Sequence, residues 1–438
     1  MDLRIPSAFS APLLEMERQF LDHSTAIERW FREQWRGHMP PFYGSVDLRN
    51  AGFKLAPIDM NLFPGGFNNL APVSLSLCVQ AAQAAVERLC SNANRLLLIP
   101  ENHTRNRFYL QNVARLATIL RLTGLEVRLG SLLPEITSPT TLMLSDGASL
   151  TLEPLQRQGN RLGVSGFDPC AILLNNDLSG GVPDILKGLD EQWLIPPLHA
   201  GWHARRKSRH AAVYERVLRA FSEAIGIDPW RISPAFRVCN GINFQERAGE
   251  ECLAAQVDAL LADIRRKYRE YDIDGEPFVV VKADAGTYGM GVMTVRDASE
   301  VMGLNRRQRN KMAVVKEGLA VEEVIIQEGV HTFETLDGAA AEPVVYMMDH
   351  YVVGGFYRVH TARGSDENLN APGMEFRSQA FDTPCCTPDC RQSPNAAPNR
   401  FYVYGVAARL ALLAASVEIE ETDPDRTCAA LIETALAL

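Results

Sequence analysis

A run of apolar β-formers, Phe278-Val279-Val280-Val281, ends on Lys282 and opens into a loop carrying Gly286, Gly289 and Gly291. Val292-Met293-Thr294-Val295 then reads as a second strand. Two strands joined by small residues make a hairpin. Because the loop leads into a strand rather than a helix, and lacks the G-x-x-x-x-G-K-[ST] spacing, neither a P-loop nor a dinucleotide fingerprint is present. The glycines let backbone N–H groups approach oxygen atoms closely. Lys282 adds a compact positive charge at the stem. A cationic stem under a glycine tip, with Thr287 and Tyr288 between the glycines, suits a lid over phosphate groups. An ordinary glycine-rich hairpin turn is the alternative.

A chain of 438 residues is too long for one core and predicts two or three domains. Its net charge of −9 argues against a nucleic-acid surface, although it leaves room for a local basic pocket. No uninterrupted apolar run of membrane-spanning length is present, so no membrane partner is expected. The first residues lack a basic segment followed by an apolar one, so they do not read as a secretory signal. The nine cysteines are mostly single, the pattern of reduced cytoplasmic thiols, and a cytoplasmic protein is expected. The cluster Cys385-Cys386-Thr387-Pro388-Asp389-Cys390 lacks the paired spacing of a zinc site and reads as a loop.

Apolar periodicity from Pro12 to Trp35 predicts an amphipathic helix with a break near His23-Ser24. Strands are expected at Phe42–Asn50 and Phe53–Asp59. Between residues 40 and 200 strands and helices alternate, with strands at Arg95–Pro100, Leu125–Gly130 and Ala171–Asn176, which favours a parallel α/β sheet. Pro196-Pro197 and Gly201 mark a break. Helices are expected over 202–227 and Gly249–Tyr271, a strand over Glu322–Val330, and a hairpin over Glu342–Val359 with Gly354-Gly355 near its turn. A terminal helix follows over Tyr402–Val417.

The block Lys54–Leu70 is too polar at Asp59, Asn61, Asn68 and Asn69 for a strand interior, and Phe63-Pro64-Gly65-Gly66-Phe67 reads as a stiff turn. Asparagines donate and accept, which suits an amino-acid head group. A helix N-cap is the other reading of Asn68-Asn69. Arg105, Arg205 and Arg206 are either ligand-facing or a solvated basic face.

The order of parts in the second half resembles the ATP-grasp ligases: a basic segment, the Lys282 hairpin, the strand into Gln327-Glu328-Gly329-Val330, the hairpin carrying Arg358, and the loop Glu367-Asn368-Leu369-Asn370. The blocks Lys54–Leu70, Pro100–Asn106 and Gly201–Ser208 together resemble the proteobacterial glutamate–cysteine ligase family, with similarity from about Val46 to Val417. The resemblance implies a mixed α/β and α+β fold, with an N-terminal α/β substrate domain over 1–200. An ATP-grasp-like region would follow over 201–438, with a central lobe to about 330 and a C-terminal lobe from 331. It implies phosphate binding by Lys207 and Lys282, cover by Gly286 to Gly291, adenine contacts at Gln327, Glu328 and Val330, and Arg358 on the transferred phosphoryl group. Asp59, Asn61, Asn68, Asn69, Arg105 and Arg206 would hold an amino acid.

The activity so implied joins the γ-carboxylate of L-glutamate to the amine of L-cysteine with ATP and Mg²⁺, by way of γ-glutamyl phosphate. This is the first step of glutathione biosynthesis. A ligase of other substrates and a non-catalytic nucleotide-binding protein are the alternatives, and a homo-oligomer is left open. One departure from ATP-grasp enzymes is expected. The late acidic residues Glu418, Glu420 and Glu421 fall after the terminal helix with no following asparagine. Glu342, Asp349, Glu367, Asn368 and Asn370 are then the candidate Mg²⁺ ligands.

Overall fold

The computed structural model describes residues 7–285, 291–314, 320–378, 388–389, 391–393 and 396–425. Helices α1 (Ser7–Asp22) and α2 (Ser24–Gly37) are separated at His23, where the sequence places the break. The parallel sheet contains β3 (Arg95–Pro100), β4 (Glu126–Ser131), β5 (Thr140–Met143), β6 (Ser149–Pro154), β9 (Ala171–Asn175) and β10 (Trp193–Ile195). Its order is β10-β9-β3-β4-β6-β5, and only β5 runs antiparallel to its neighbour. Strand β9 is buried along its whole length, as expected of an interior parallel strand. Helices α3 (Ser74–Leu89) and α4 (Arg107–Leu122) share a core with this sheet, and the Asn106 side chain caps α4 by accepting from the Tyr109 N–H. Strands β7 (Gln156–Gln158) and β8 (Arg161–Gly163) form a separate ribbon.

Two antiparallel sheets make up the rest. One joins β1 (Tyr43–Asn50) and β2 (Leu55–Asn61) to β16 (Ala339–Met348), β17 (Tyr351–His360) and β18 (Glu375–Arg377), in the order β18-β17-β16-β1-β2, with β15 (Thr335–Leu336) on β16. The other is β11-β14-β12-β13, from β11 (Phe236–Asn240), β12 (Val279–Ala283), β13 (Val292–Val295) and β14 (Glu323–Glu328). Helices α5 (Lys207–Ile225), α6 (Glu250–Glu270), α7 (Ala298–Met302) and α8 (Arg306–Met312) lie in the same stretch of chain, and α9 (Ala397–Thr422) closes it. Apolar residues of α6 share a core with the four-stranded sheet. Helix α9 packs among α5, β1 and β2, so the most apolar helix is a core helix. It has the length and apolarity to cross a membrane, but 83% of that window is buried inside the protein.

Sheet pairing crosses the expected division at residue 200, since β1 pairs with β16 from Tyr43↔Met348 to Asp47↔Val344. Two expectations are corrected. The β16–β17 turn is at Asp349-His350, with Asp349 at φ 52, and Gly354-Gly355 lies inside β17. Gly354 has φ 149, and a Cβ there would come within 2.5 Å of the Ser74 hydroxyl oxygen, so its role is to admit the start of α3. Finally, Glu418, Glu420 and Glu421 are in the last turns of α9 rather than after it.

Candidate active site

A cleft of about 910 Å³ lies between the two antiparallel sheets. On the four-stranded side, residues alternate between faces. Val280, Lys282 and Gln327 line the cleft, while Val279, Val281, Val324 and Ile326 join the core with α6. Lys282 Nζ donates to Gln327 Oε1 at 2.7 Å and to the Ile58 carbonyl at 3.1 Å. Burial pulls the Lys282 ammonium down to about 8, and the neighbouring Lys207 and Arg49 cations oppose the support it gains from Asp59.

Lys207 is the first residue of α5, and the helix start is tied to the end of β12. Asp284 accepts from the Lys207 N–H at 3.0 Å through its carbonyl, and from the Ser208 N–H at 2.7 Å and hydroxyl at 2.6 Å through its carboxylate. This is a carboxylate cap on a helix N-terminus. Lys207 Nζ stands 3.8 Å over the Trp202 ring and 4.0 Å from Asp59 Oδ1. Burial lowers Lys207 too, against the pull of Asp59. Asp59 itself is held below the usual carboxylate range. Burial would raise it, but Lys207, Lys282, Arg205 and His210 outweigh that.

The six-stranded wall carries charges of both signs. Glu342 lies directly across from Arg358 in the β16–β17 ladder, and accepts from Arg358 Nη1 at 2.5 Å and Arg49 Nε at 3.0 Å. Arg358 Nη1 also reaches Asp47 Oδ2 at 2.8 Å. Although burial acts to lower it, these two carboxylates hold Arg358 firmly cationic. Asp47 is raised by burial and by Glu342, against the pull of Arg358. Arg49 further donates to the carbonyls of Val330, Ser365 and Glu367, so one guanidinium joins the end of the β14 segment to the 365–367 loop. Arg358 Nε is buried with no hydrogen-bond partner among the described residues.

Of the residues expected at the site, Asp59, Lys207, Lys282, Gln327, Glu328, Val330, Glu342, Arg358, Asn368 and Asn370 line this one cleft. The carboxylate of Glu328 nevertheless pairs with the fully buried Lys54 at 2.6 Å, and its N–H donates to the Ala235 carbonyl at 2.7 Å, so both are taken up by the fold. Glu367 sits on an adjoining groove, bonded to Arg363 and the Gly364 N–H. Asp349 is taken up by Arg88 and His350 at the hairpin turn, away from the cleft lining. Asn61 accepts from the Phe63 N–H in a local turn, Asn68 bonds Asn69, and Arg105 is exposed; none of these four lines the cleft. Arg206 turns to Glu323 and to the carbonyls of its own loop. Gly291 is described, at φ 60, whereas Gly286, Thr287, Tyr288 and Gly289 lie outside the described residues.

Asp47 and Arg49 escaped the sequence reading. Their signal was present: charged residues two apart, interleaved with Val46 and Leu48, put both charges on one face of a strand. Nothing local connects that strand to Glu342 or Arg358, which follow Arg49 and Asp47 by 293 and 311 residues.

Among the described residues no cluster of three or more His, Cys, Asp or Glu could by itself hold a metal ion. Asp47, Glu342, Asp366, Asn368 and Asn370 do set hard oxygens along the cleft. With Arg358 Nε unpartnered, this donor set fits a polyphosphate that brings a hard cation sharing one or two carboxylates.

A model of the GshA glutamate-cysteine ligase family matches residues 17–419. A crystal structure at 1.90 Å of a Methylobacillus flagellatus KT protein assigned as a gamma-glutamylcysteine synthetase is 64% identical. Its TM-score is 0.91, over 97% of this chain and 100% of that one. D-alanyl-alanine synthetase A from Vibrio cholerae is 10% identical with a TM-score of 0.32, over 65% of this chain and 73% of that one. A glutathione synthetase-like effector from Globodera pallida is also 10% identical with a TM-score of 0.37, over 84% and 79%. At those scores neither bears on the site. None of the curated proteins compared with the chain matches it. On the family match and the near-complete overlap with the M. flagellatus protein, the chain belongs to the glutamate-cysteine ligase family.

Proposed function

We propose that this chain uses ATP to join the γ-carboxylate of L-glutamate to the amine of L-cysteine in the cleft between its two antiparallel sheets, in the cytoplasm. The observation that carries the reading is the convergence of Lys207, Lys282, Arg49 and Arg358 on that cleft, in a chain of this family. Phosphoryl transfer asks a protein chiefly for positioning and charge neutralisation. Lys207 and Lys282 are placed to take phosphate oxygens, and Arg358 offers its unpartnered Nε to the oxygens whose charge grows in the transition state. Gln327, Glu328 and Val330 are the candidates to meet the adenine edge.

Glutamate's γ-carboxylate would attack the γ-phosphoryl group, giving γ-glutamyl phosphate and ADP. Cysteine's amine would then displace phosphate and lose its proton. Asp59, with its low pKa beside two lysines, is the candidate partner of a substrate ammonium group. Mg²⁺, held by Glu342 and Asp47 with help from Asn368 or Asn370, would neutralise phosphate charge when bound.

The test is ATP-dependent phosphate release with L-glutamate and L-cysteine, singly and together, with the product mass determined. Release that needs both, with a γ-glutamylcysteine mass, is the expected result. Release with another amine would discard the specificity, and ATP binding without release under any amine would discard the ligase.

A further inference from the structure

On the back of the four-stranded sheet, away from the cleft, two thiols meet. Cys239 of β11 and Cys252 of α6 have their sulfur atoms 3.2 Å apart. That is closer than ordinary unbonded contact, though well beyond the ~2.05 Å of a disulfide. Their surroundings differ. Cys239 is 2% exposed and packs in the core between sheet and helix, where burial pushes its thiol up to about 12. Cys252 is exposed and sits in the first turn of α6. The link between them is held at several points. Ile242 N–H donates to the Glu322 carbonyl at 2.9 Å, and Asn243 and Ala248 exchange two backbone hydrogen bonds of 3.0 Å. Gly249, at φ 79, enters the helix. The backbone between the two cysteines is therefore held in place, and it brings β11 and the start of α6 side by side. The other described cysteines, Cys78, Cys90 and Cys170, have no such neighbour among the described residues.

We propose that Cys239 and Cys252 form a reversible redox pair, in which Cys252 is the peroxide-reactive thiol and Cys239 resolves it. The Cys252 thiolate attacks a peroxide oxygen and the O–O bond breaks. With hydrogen peroxide this gives a sulfenic acid and hydroxide, which takes up a proton as water. The Cys239 sulfur then attacks the Cys252 sulfur, the S–O bond breaks, and a second water leaves. In sum two thiols and one peroxide give one disulfide and two waters. A low-molecular-weight thiol reverses the step by exchange. The asymmetry sets the order of events, since attack on peroxide needs access and thiolate character, and only Cys252 is exposed. Because Cys239 is on the α6 face of the sheet and Lys282 and Gln327 are on the other, closing the disulfide leaves the cleft intact.

The experiment treats the full-length protein with one equivalent of hydrogen peroxide, quenches it, blocks free thiols in denaturant, digests with trypsin and reads peptide masses. Arg247 separates the two cysteines into different peptides, so a bridge appears as one linked species lighter than the sum by two hydrogen atoms. Expected is a Cys239–Cys252 link formed before any other cysteine is oxidised, reopened by dithiothreitol, with ligase turnover within about twofold of the reduced protein. C252S should abolish the link and leave Cys239 alkylatable, and C239S should leave a sulfenic acid on Cys252 that dimedone traps. These variants are read on the folded, soluble fraction, and the wild-type peptide map stands without them. Oxidation of other cysteines first, or full alkylation of both thiols after peroxide, would overturn the proposal.

Discussion

The two walls of the cleft hold their positive charges in different ways. The four-stranded wall and the start of α5 present lysines: Lys282 donates to the Gln327 side chain and the Ile58 carbonyl, and Lys207 stands over the Trp202 ring, 4.0 Å from Asp59. Burial lowers both, Lys282 to about 8. The six-stranded wall presents arginines locked to carboxylates, Arg49 to Glu342 and Arg358 to both Glu342 and Asp47. On one wall burial makes the lysine charge easy to shift, and an incoming anion would hold it in place. The other keeps its charge at any physiological pH and is fixed in place before an anion arrives. Compact, easily shifted lysines and rigid, always-charged guanidiniums divide these tasks as their chemistry dictates.

The sharpest way to break that contrast is to remove the shared carboxylate. Glu342→Ala leaves Arg49 and Arg358 buried with one main partner gone, and should cost about 3–5 kcal/mol of stability, the range for breaking a buried pair from one side. A thermal or urea melt checks this. The same substitution on the lysine wall, Asp59→Ala, should cost far less, since its contact to Lys207 is long. Next in size are the cations themselves. Arg358→Ala and Lys282→Ala should each lower kcat by roughly 10²–10³-fold, as loss of one preorganised charge donor does. Steady-state phosphate release reads the change, with far-ultraviolet circular dichroism confirming the fold.

Behind the lysine wall, Glu418 is held down to about 2. Its burial acts to raise it, but Arg205 and His210 more than offset that. Its stabilising effect is complete above the ordinary carboxylate pKa and is lost as pH falls from ~4.3 towards 2, an effect of about 3 kcal/mol. Glu418→Gln should flatten that part of the stability curve relative to wild type.

The smallest effect is the most diagnostic of the contrast. As pH rises through about 8, Lys282 loses its proton and ATP binding should weaken, so KM for ATP climbs on the alkaline side. Lys282→Arg cannot deprotonate in this range and should move that limb upward. A limb that stays in place would assign it to another group.

How legible each wall was follows from how its strands are supplied. Strands β12, β13 and β14 come from one stretch of chain, and Lys282 and Gln327 stood out as a cation and an amide at the ends of apolar runs. The parallel sheet was legible for the same reason, since β3, β4 and β9 are short buried strands separated by periodic helices. The six-stranded wall was not. Its β1 and β2 precede the parallel sheet and its β16 follows the four-stranded one, so pairing such as Asp47↔Val344 is a long-range fact with no local sign. Without that pairing Asp47 and Arg49 are only charged residues within a strand, and Asp349 is as good a metal candidate as Glu342. The Asn61, Asn68 and Asn69 group was read as a head-group site, yet part of that bonding is local: Asn61 bonds Phe63, and the turn is gripped by Asn112, which accepts from the Gly66 and Phe67 N–H groups at 2.8 and 2.9 Å. Asparagine's competence for both tasks is why sequence could not separate them.

The central claim is that glutamate is phosphorylated between these two walls. The most direct measurement incubates the protein with ATP, Mg²⁺, L-glutamate and hydroxylamine, without cysteine, and assays γ-glutamyl hydroxamate in wild type, Lys282→Ala and Arg358→Ala. The account predicts hydroxamate and ADP in equal amounts from wild type and at least a hundredfold less from either variant, as the loss of one charge donor implies. Wild-type yields from both variants would place the chemistry outside this cleft.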